Sequence, residues 1–264
     1  MPRPLGQHFL KNKEIIRKII EAAQLQPSDQ VLEIGPGEGA ITGLLAQNAQ
    51  KVLAVELDEH LADNLPSLPN LKVLKANFLN INLAEILGSS PGKWKVVANL
   101  PYYITSPIIE KLLIEGSPFI ESMVIMIQKE VADRIKALAC RETGAFSYFV
   151  NYYAQVEMLF KVKPGSFNPP PQVDSAVIRL TPRLLPEIEA PADLLFKVTR
   201  TAFSARRKTL RKSLQPLAQS MNSDLDRAFQ KANIPGEKRP EELTLLDFSH
   251  LATALQETSN IGDL

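Results

Sequence analysis

The stretch QVLEIGPGEGAIT, residues 30–42, decides how this chain is read. Val31 to Ile34 form a short apolar run interrupted by one acid, Glu33, after which come Gly35, Gly37 and Gly39 and then helix-forming residues. Glycines at such a place let the backbone turn sharply and approach a ligand closely where the next helix begins. Working outward, short apolar runs recur at KVLAVEL (51–57), LKVLKA (71–76), KVVANL (95–100) and SMVIMIQ (122–128), with room between them for helices. That alternation predicts an α/β fold with a doubly wound, mostly parallel sheet. Strands in SYFVNYYAQVEMLFKV (147–162) and SAVIRLTP (175–182) extend it as antiparallel edges. Ahead of the sheet, Ile15, Ile16, Ile19, Ile20 and Ala23 recur at helical spacing and predict an amphipathic helix over 11–25. From residue 183 the pattern is helix after helix, with proline joints in RLLPEIEAPADL and NIPGEKRPEEL. The expected organisation is a sheet domain over 1–182 and a small all-α domain over 183–264.

Composition sets bounds on function. The chain has 264 residues, 45% hydrophobic and 22% charged, enough to bury a full core without staples. One cysteine, Cys140, rules out an intramolecular disulfide, and MPRPLGQHFLKNKEII lacks the apolar core of a secretory signal, so a cytoplasmic location is expected. No apolar run approaches the ~18 residues of a membrane span. Three histidines and one cysteine give no expectation of a metal site. The net charge of +1 says little, but RTAFSARRKTLRK (200–212) holds six Arg or Lys and no acid. If 196–214 is one helix, Phe196, Phe203 and Leu210 share a face and Arg207, Lys208, Arg211 and Lys212 cluster away from it, either as a solvated face or as phosphate contacts.

In an open parallel sheet, ligands collect at the carboxyl ends of the strands. Gly35, Gly37 and Ala40 also satisfy the loose dinucleotide-binding fingerprint, and Glu56, 21 residues after Gly35, can accept both hydroxyls of a ribose. Both features are common to NAD proteins and nucleoside-binding methyltransferases. An acid that caps a helix explains Asp58 better than Glu56. The third strand end is KANFLNI, with Asn77, and the fourth is VVANLPYYITS (96–106). A dehydrogenase has no evident use for Asn-Leu-Pro-Tyr, whereas methyl transfer to an exocyclic amine does. The lone pair of such an amine is delocalised into the base, and acceptors aimed at its two N–H bonds favour pyramidalisation. The Asn99 oxygen and the Leu100 carbonyl can be those acceptors. Pro101, lacking an N–H, turns the chain, and Tyr102 offers a face on which a flipped base can stack. A proline-initiated turn with a core tyrosine is the plainer reading of the tetrapeptide by itself.

Six stretches together resemble the ribosomal RNA adenine N6,N6-dimethyltransferase family (KsgA-like proteins), related to the Erm resistance methyltransferases. They are GQHFL (6–10), EIGPGEGAIT (33–42), NLPYYIT (99–105), QKEVADRI (128–135), FNPPPQVDSAVIRL (167–180) and AFSARRKTLRKSL (202–214). The resemblance implies a Rossmann-like fold binding S-adenosylmethionine and acting on adenines of small-subunit ribosomal RNA, with the assembling 30S subunit as partner and a monomeric state. It implies that His8 and Leu10 of the arm contact the cofactor. Gly35 would lie under its methionine part, Gly37 would also bind the cofactor, Glu56 would bind the ribose, and Asn99 would sit between cofactor and substrate. Phe167, just before Pro169, Pro170 and Pro171, would stack on the target adenine opposite Tyr102; without the family it reads equally well as a core residue. The sequence departs from the family once: Ala76 and Asn77 stand where a Gly-Asp pair is usual, so an amide rather than a carboxylate meets the adenine of the cofactor. Two rivals are a non-catalytic RNA-binding assembly factor that keeps the fold and an NAD-dependent dehydrogenase.

Overall fold

The computed structural model describes residues 8–90, 92–183, 188–205 and 207–259. Gly6 and Gln7 of the arm, residues 184–187 of the first proline joint and Arg206 of the basic segment lie outside them. The chain divides into two compact units: the described residues up to Asp133 with Tyr153–Arg183, and Arg134–Tyr152 with the described residues beyond Arg183.

The first unit begins with β1 (Phe9–Leu10), α1 (Lys13–Ala23), β2 (Gln30–Ile34), α2 (Thr42–Asn48), β3 (Lys51–Glu56), α3 (Glu59–Asp63) and β4 (Leu71–Lys75). It continues through α4 (Leu83–Leu87), β5 (Trp94–Asn99), α5 (Thr105–Ile114), β6 (Ile120–Gln128) and the start of α6 (Lys129–Lys136). After α7 (Ala145–Tyr153) come β7 (Ala154–Val162), β8 (Phe167–Asn168) and β9 (Ser175–Pro182). Seven strands form one sheet in the order β4-β3-β2-β5-β6-β9-β7. The first five run parallel, and β9 is antiparallel to β6 and to β7. The chain steps outward from β2 through β3 to β4, then returns to the other side of β2 for β5 and β6, so the strand order reverses between β2 and β5.

Burial explains the strand sequences. All five residues of β2 are buried, as expected of a parallel strand covered on both faces. One face of the sheet carries Val31, Val52, Val97, Val124, Met126 and Val177 against Ile16, Ile19 and Ala23 of α1 and Leu45 and Ala46 of α2. The amphipathic helix read over 11–25 is α1; Asn12 starts it by accepting the N–H groups of Glu14 and Ile15 at 3.0 and 3.3 Å. Alternation along the pleat places Glu33 on the same face as Val31. Among the described residues no helix is long and apolar enough to cross a membrane.

Two local expectations are corrected. The segment 147–162 is not one strand: its first part is α7, and β7 begins only at Ala154. The aromatic residues that suggested a strand instead meet other rings of the second unit. Phe149 and Tyr152 lie 5.1 and 5.2 Å from Phe196, and Tyr148 lies 5.2 Å from Phe248. Packing on that cluster outweighs their β propensity. The second unit also holds α8 (Ala192–Phe203), α9 (Leu210–Ser220), α10 (Leu225–Ala232) and α11 (Leu245–Glu257). Residues 196–214 are therefore two helices, because α8 closes at Ser204 and Thr209 opens α9 in an extended conformation. The run of positive charge at Arg207 and Lys208 falls in the break, where it need not stack on consecutive helical turns.

Candidate active site

The register of β2 on β5, from Gln30 opposite Trp94 to Ile34 opposite Ala98, brings Gly35, which follows β2, beside Asn99, the last residue of β5, which is still paired with Met126 of β6. This is the switch point at which open α/β sheets bind ligands. Two cavities open there, of about 90 and 240 Å³, and both are lined by Gly35, Glu56 and Pro101. The first adds His8, Leu10, Glu33, Gly37, Asn99 and Tyr102; the second adds Leu57, Asn77, Phe78 and Tyr103.

The glycine loop is shaped by backbone that other residues rarely adopt: φ is +65° at Gly35 and +59° at Gly37. A Cβ on Gly37 would come within 3.2 Å of the Phe9 ring, so the arm lies directly on the loop. The buried Glu56 carboxylate ties the loop to β3, accepting the N–H of Gly37 and of Asp58 at 3.0 Å each. Each oxygen keeps a lone-pair direction for a further donor. Asp58 caps α3 through the N–H groups of His60 and Leu61, as its sequence position suggests.

At the end of β5, the Leu100 N–H is held by the Met126 carbonyl at 3.0 Å, and the Thr105 hydroxyl bonds the Pro101 carbonyl at 3.0 Å. The Asn99 amide nitrogen lies 3.5 Å from the His8 carbonyl, which leaves the amide oxygen as the group available to a donor. Tyr102 is half-buried; its hydroxyl is paired with Ser175 at 2.6 Å, and burial pushes the phenol up from its ordinary pKa. The His8 ring stands 5.9 Å from the Tyr102 ring and bonds the Pro169 carbonyl through Nδ1 at 2.8 Å. An ion pair from Lys11 to Glu38 ties the arm to the glycine loop.

The structure thus brings together His8, Leu10, Gly35, Gly37, Glu56, Asn99, Leu100, Pro101 and Tyr102 around one cavity. It does not bring Phe167 to that cavity. The Phe167 ring is 6% exposed in the apolar cluster with Leu10, and β8 pairs with β1 so that Leu10 and Phe167 stand opposite each other. Asn77 lines the second cavity, and its side-chain oxygen accepts the N–H of Leu79 at 3.0 Å, so the turn after β4 shares the acceptor that a bound adenine would use. In the second unit, Arg207, Lys208 and Lys212 are exposed. Arg211 is not free: it is paired with Asp226 and, at 3.6 Å, with Glu237, and its guanidinium sits 5.5 Å over the Phe229 ring.

Two residues at the site, Ser175 and Phe9, are not singled out by the sequence, and a third, Glu33, stands out in it without a role. Ser175 orients Tyr102 across 73 positions, for which no local pattern exists. Phe9 packs on Gly37, and its neighbours His8 and Leu10 drew attention instead. Glu33 did leave a signal, being an acid in a strand otherwise fully apolar from Val31 to Ile34.

Known proteins resemble this chain over almost its whole length. The sequence profile of the ribosomal RNA adenine dimethylase family matches residues 2–256. The chain is 41% identical over 254 residues to the ribosomal RNA small subunit methyltransferase A of Clostridium acetobutylicum, covering 94% of this chain and 91% of the relative. It is 40% identical over 266 residues to the protein of the same name from Picosynechococcus sp., covering 96% of both. Among solved structures it resembles a dimethyladenosine transferase from Plasmodium falciparum, at 28% identity and a TM-score of 0.75, covering 95% of this chain and 98% of that one. It also resembles the 23S rRNA methyltransferase ErmE, at 28% identity and a TM-score of 0.66, covering 94% and 99%.

Proposed function

Because this chain belongs to the ribosomal RNA adenine dimethylase family, we propose that it transfers two methyl groups in succession from S-adenosylmethionine to the N6 amine of adenines in small-subunit ribosomal RNA. The observation that carries this reading is Asn99, a polar side chain at the exit of β5, beside the glycine loop, with its amide oxygen left for a donor. S-adenosylmethionine supplies a methyl group activated by its sulfonium sulfur. Glu56 takes the ribose hydroxyls with its remaining lone pairs, Gly35 and Gly37 let the backbone run close under the methionine part, and His8 and Leu10 cover it from the arm.

At the target base, the Asn99 oxygen and the Leu100 carbonyl accept the two N–H bonds of the amine and favour a lone pair that can attack. After the first transfer one N–H remains, so one of the two acceptors suffices for the second. Tyr102, anchored by Ser175, presents its ring to the flipped adenine. Phe167 takes no part in that stack while Leu10 stands against it. Catalysis rests on positioning and fixed acceptors rather than on a strong base. The exposed Arg207, Lys208 and Lys212 meet RNA phosphates, while Arg211 braces the second unit through its two carboxylates. In its finer form the proposal has a monomer acting in the cytoplasm on the assembling 30S subunit; a single cysteine suits that reducing compartment.

Small-subunit RNA incubated with the protein and S-adenosylmethionine, then digested for mass spectrometry, is expected to contain N6,N6-dimethyladenosine; RNA without methylated adenine would refute the proposal. In the same assay Asn99→Ala is expected to lower turnover by at least ~100-fold, the scale of losing one fixed polar stabiliser, while RNA affinity is unchanged. Asn77→Asp gives the turn and the adenine amine an oxygen each. Charge assistance adds on the order of 1 kcal/mol to a hydrogen bond, so calorimetry should show S-adenosylmethionine binding tighter by about fivefold, and by no more than about tenfold. Replacing Arg207, Lys208 and Lys212 together with Ala should reduce the slope of log affinity against log salt by roughly 2, at about 0.7 per phosphate contact in single-stranded RNA. The Arg211→Ala slope should stay at the unmodified value.

A further inference from the structure

Gln128 is the last residue of β6 and the first of the stretch QKEVADRI (128–135). Along β6 the side chains of Val124 and Met126 meet the face of the sheet covered by α1, and the pleat turns Gln128 to that face as well. The same alternation places Asn99 there, two residues after Val97 on β5, and Ser175 there, two residues before Val177 on β9. The register joins the four strand ends: Asn99 is paired with Met126, and Gln128 with Ser175. Residues directly opposite each other in an antiparallel pair have their Cβ atoms about 5 Å apart. Gln128 therefore stands beside the hydroxyl that holds the Tyr102 phenol at 2.6 Å, on the same face of the sheet as Asn99.

The polar groups around Gln128 are engaged with one another. Ser175 is bonded to Tyr102, and the Lys129 N–H is given to the Asp174 carbonyl at 2.9 Å. The Lys129 ammonium is paired with Asp133, and the Asp174 carboxylate accepts from Lys163 at 2.8 Å. By contrast the half-buried Gln128 side chain has no hydrogen-bond partner among the described residues. Its amide offers two N–H donors and one acceptor, and all are left for a ligand.

In the proposed reaction two acceptors meet the amine of the target adenine and the Tyr102 ring meets its face. Neither contact reads the ring nitrogens N1 and N7 that flank the amine. Stacking by itself is tolerant of the base and lets it turn in its own plane. A donor to a ring nitrogen would stop that turning, and an amide side chain is a common partner of the adenine edge.

We propose that Gln128 reads the target adenine, donating from its amide nitrogen to a ring nitrogen beside the amine, N1 or N7. The base is thereby held at the angle at which Asn99 and Leu100 meet its amine. The inference rests on the reading of the site as an adenine N6-methyltransferase, and adds to it a residue that determines specificity.

The test compares methyl transfer by the full chain and by its Gln128→Ala variant on small-subunit RNA. The RNA carries adenosine, 1-deazaadenosine or 7-deazaadenosine at the positions that mass spectrometry shows to be methylated. The unmodified protein is expected to lose roughly fivefold in kcat/KM on one of the two deaza RNAs, the scale of one neutral hydrogen bond, and the RNA that suffers names the nitrogen. Gln128→Ala is expected to show a similar loss on adenosine RNA, no further loss on that deaza RNA, and unchanged S-adenosylmethionine affinity by calorimetric titration. Indifference of the unmodified protein to both deaza RNAs, equal sensitivity of the variant, or a loss confined to cofactor affinity overturns the assignment of Gln128 and leaves the methyltransferase reading intact. Absence of methylation on adenosine RNA by the unmodified protein overturns that reading itself. If Gln128→Ala does not fold, Gln128→Met, which keeps the length of the side chain without its N–H groups, takes its place.

Discussion

Parallel pairing of β2 with β5 is the constraint on which the site depends. Five residue pairs, from Gln30 with Trp94 to Ile34 with Ala98, fix where this pairing ends, and the next residue on each side, Gly35 after β2 and Asn99 as the last of β5, is glycine or polar in a place surrounded by apolar side chains. A shift of one residue would turn Val97 away from the helices that cover it and carry Asn99 to the wrong side of the sheet, so core and site enforce the same register. Glu56, Glu33 and Asn99 are held inside or at the edge of the core by backbone hydrogen bonds, and need no flexible segment to assemble them. The arm is the exception, reaching the cavity through β1, the Lys11–Glu38 pair and the Phe9 contact with Gly37.

This arrangement accounts for a reaction that uses little acid–base chemistry. An exocyclic amine is a poor nucleophile because its lone pair is conjugated, and the remedy is geometric: acceptors at fixed positions and an aromatic face to hold the ring. In the proposed reaction the Asn99 amide, steadied near the His8 carbonyl, and the Leu100 peptide, steadied by Met126, are to meet the first requirement. In the same proposal Tyr102, steadied by Ser175, is to meet the second. Each group is supported by a neighbour that takes no part in the chemistry.

Much of the architecture is legible in the sequence because parallel strands advertise themselves as short apolar runs and their ends as abrupt polar residues. The sheet, the amphipathic α1, and the convergence of Gly35, Glu56 and Asn99 can be read from spacing alone. The features that stay hidden depend on contacts distant along the chain. The helix α7 looks like a strand because Tyr148, Phe149 and Tyr152 favour strands, and only their meeting with Phe196 and Phe248 decides otherwise. Arg211 looks like its basic neighbours until Asp226 and Glu237 are placed beside it. Asn77 reads as a simple swap of amide for carboxylate, but the Leu79 N–H bonded to its single side-chain oxygen shows that the turn and a ligand would share one acceptor atom.

The central claim is that the cofactor lies at the carboxyl ends of β2, β3 and β5, on the glycine loop and under the arm. Ultraviolet cross-linking of radiolabelled S-adenosylmethionine to the protein, followed by peptide mapping, tests it most directly. Label should appear in the peptides holding His8 to Leu10, Glu33 to Gly37, Glu56 to Asp58 or Asn99 to Tyr103, and excess unlabelled S-adenosylhomocysteine should abolish it. Label confined to the helical residues beyond Arg183, or label that the competitor does not displace, would contradict the account.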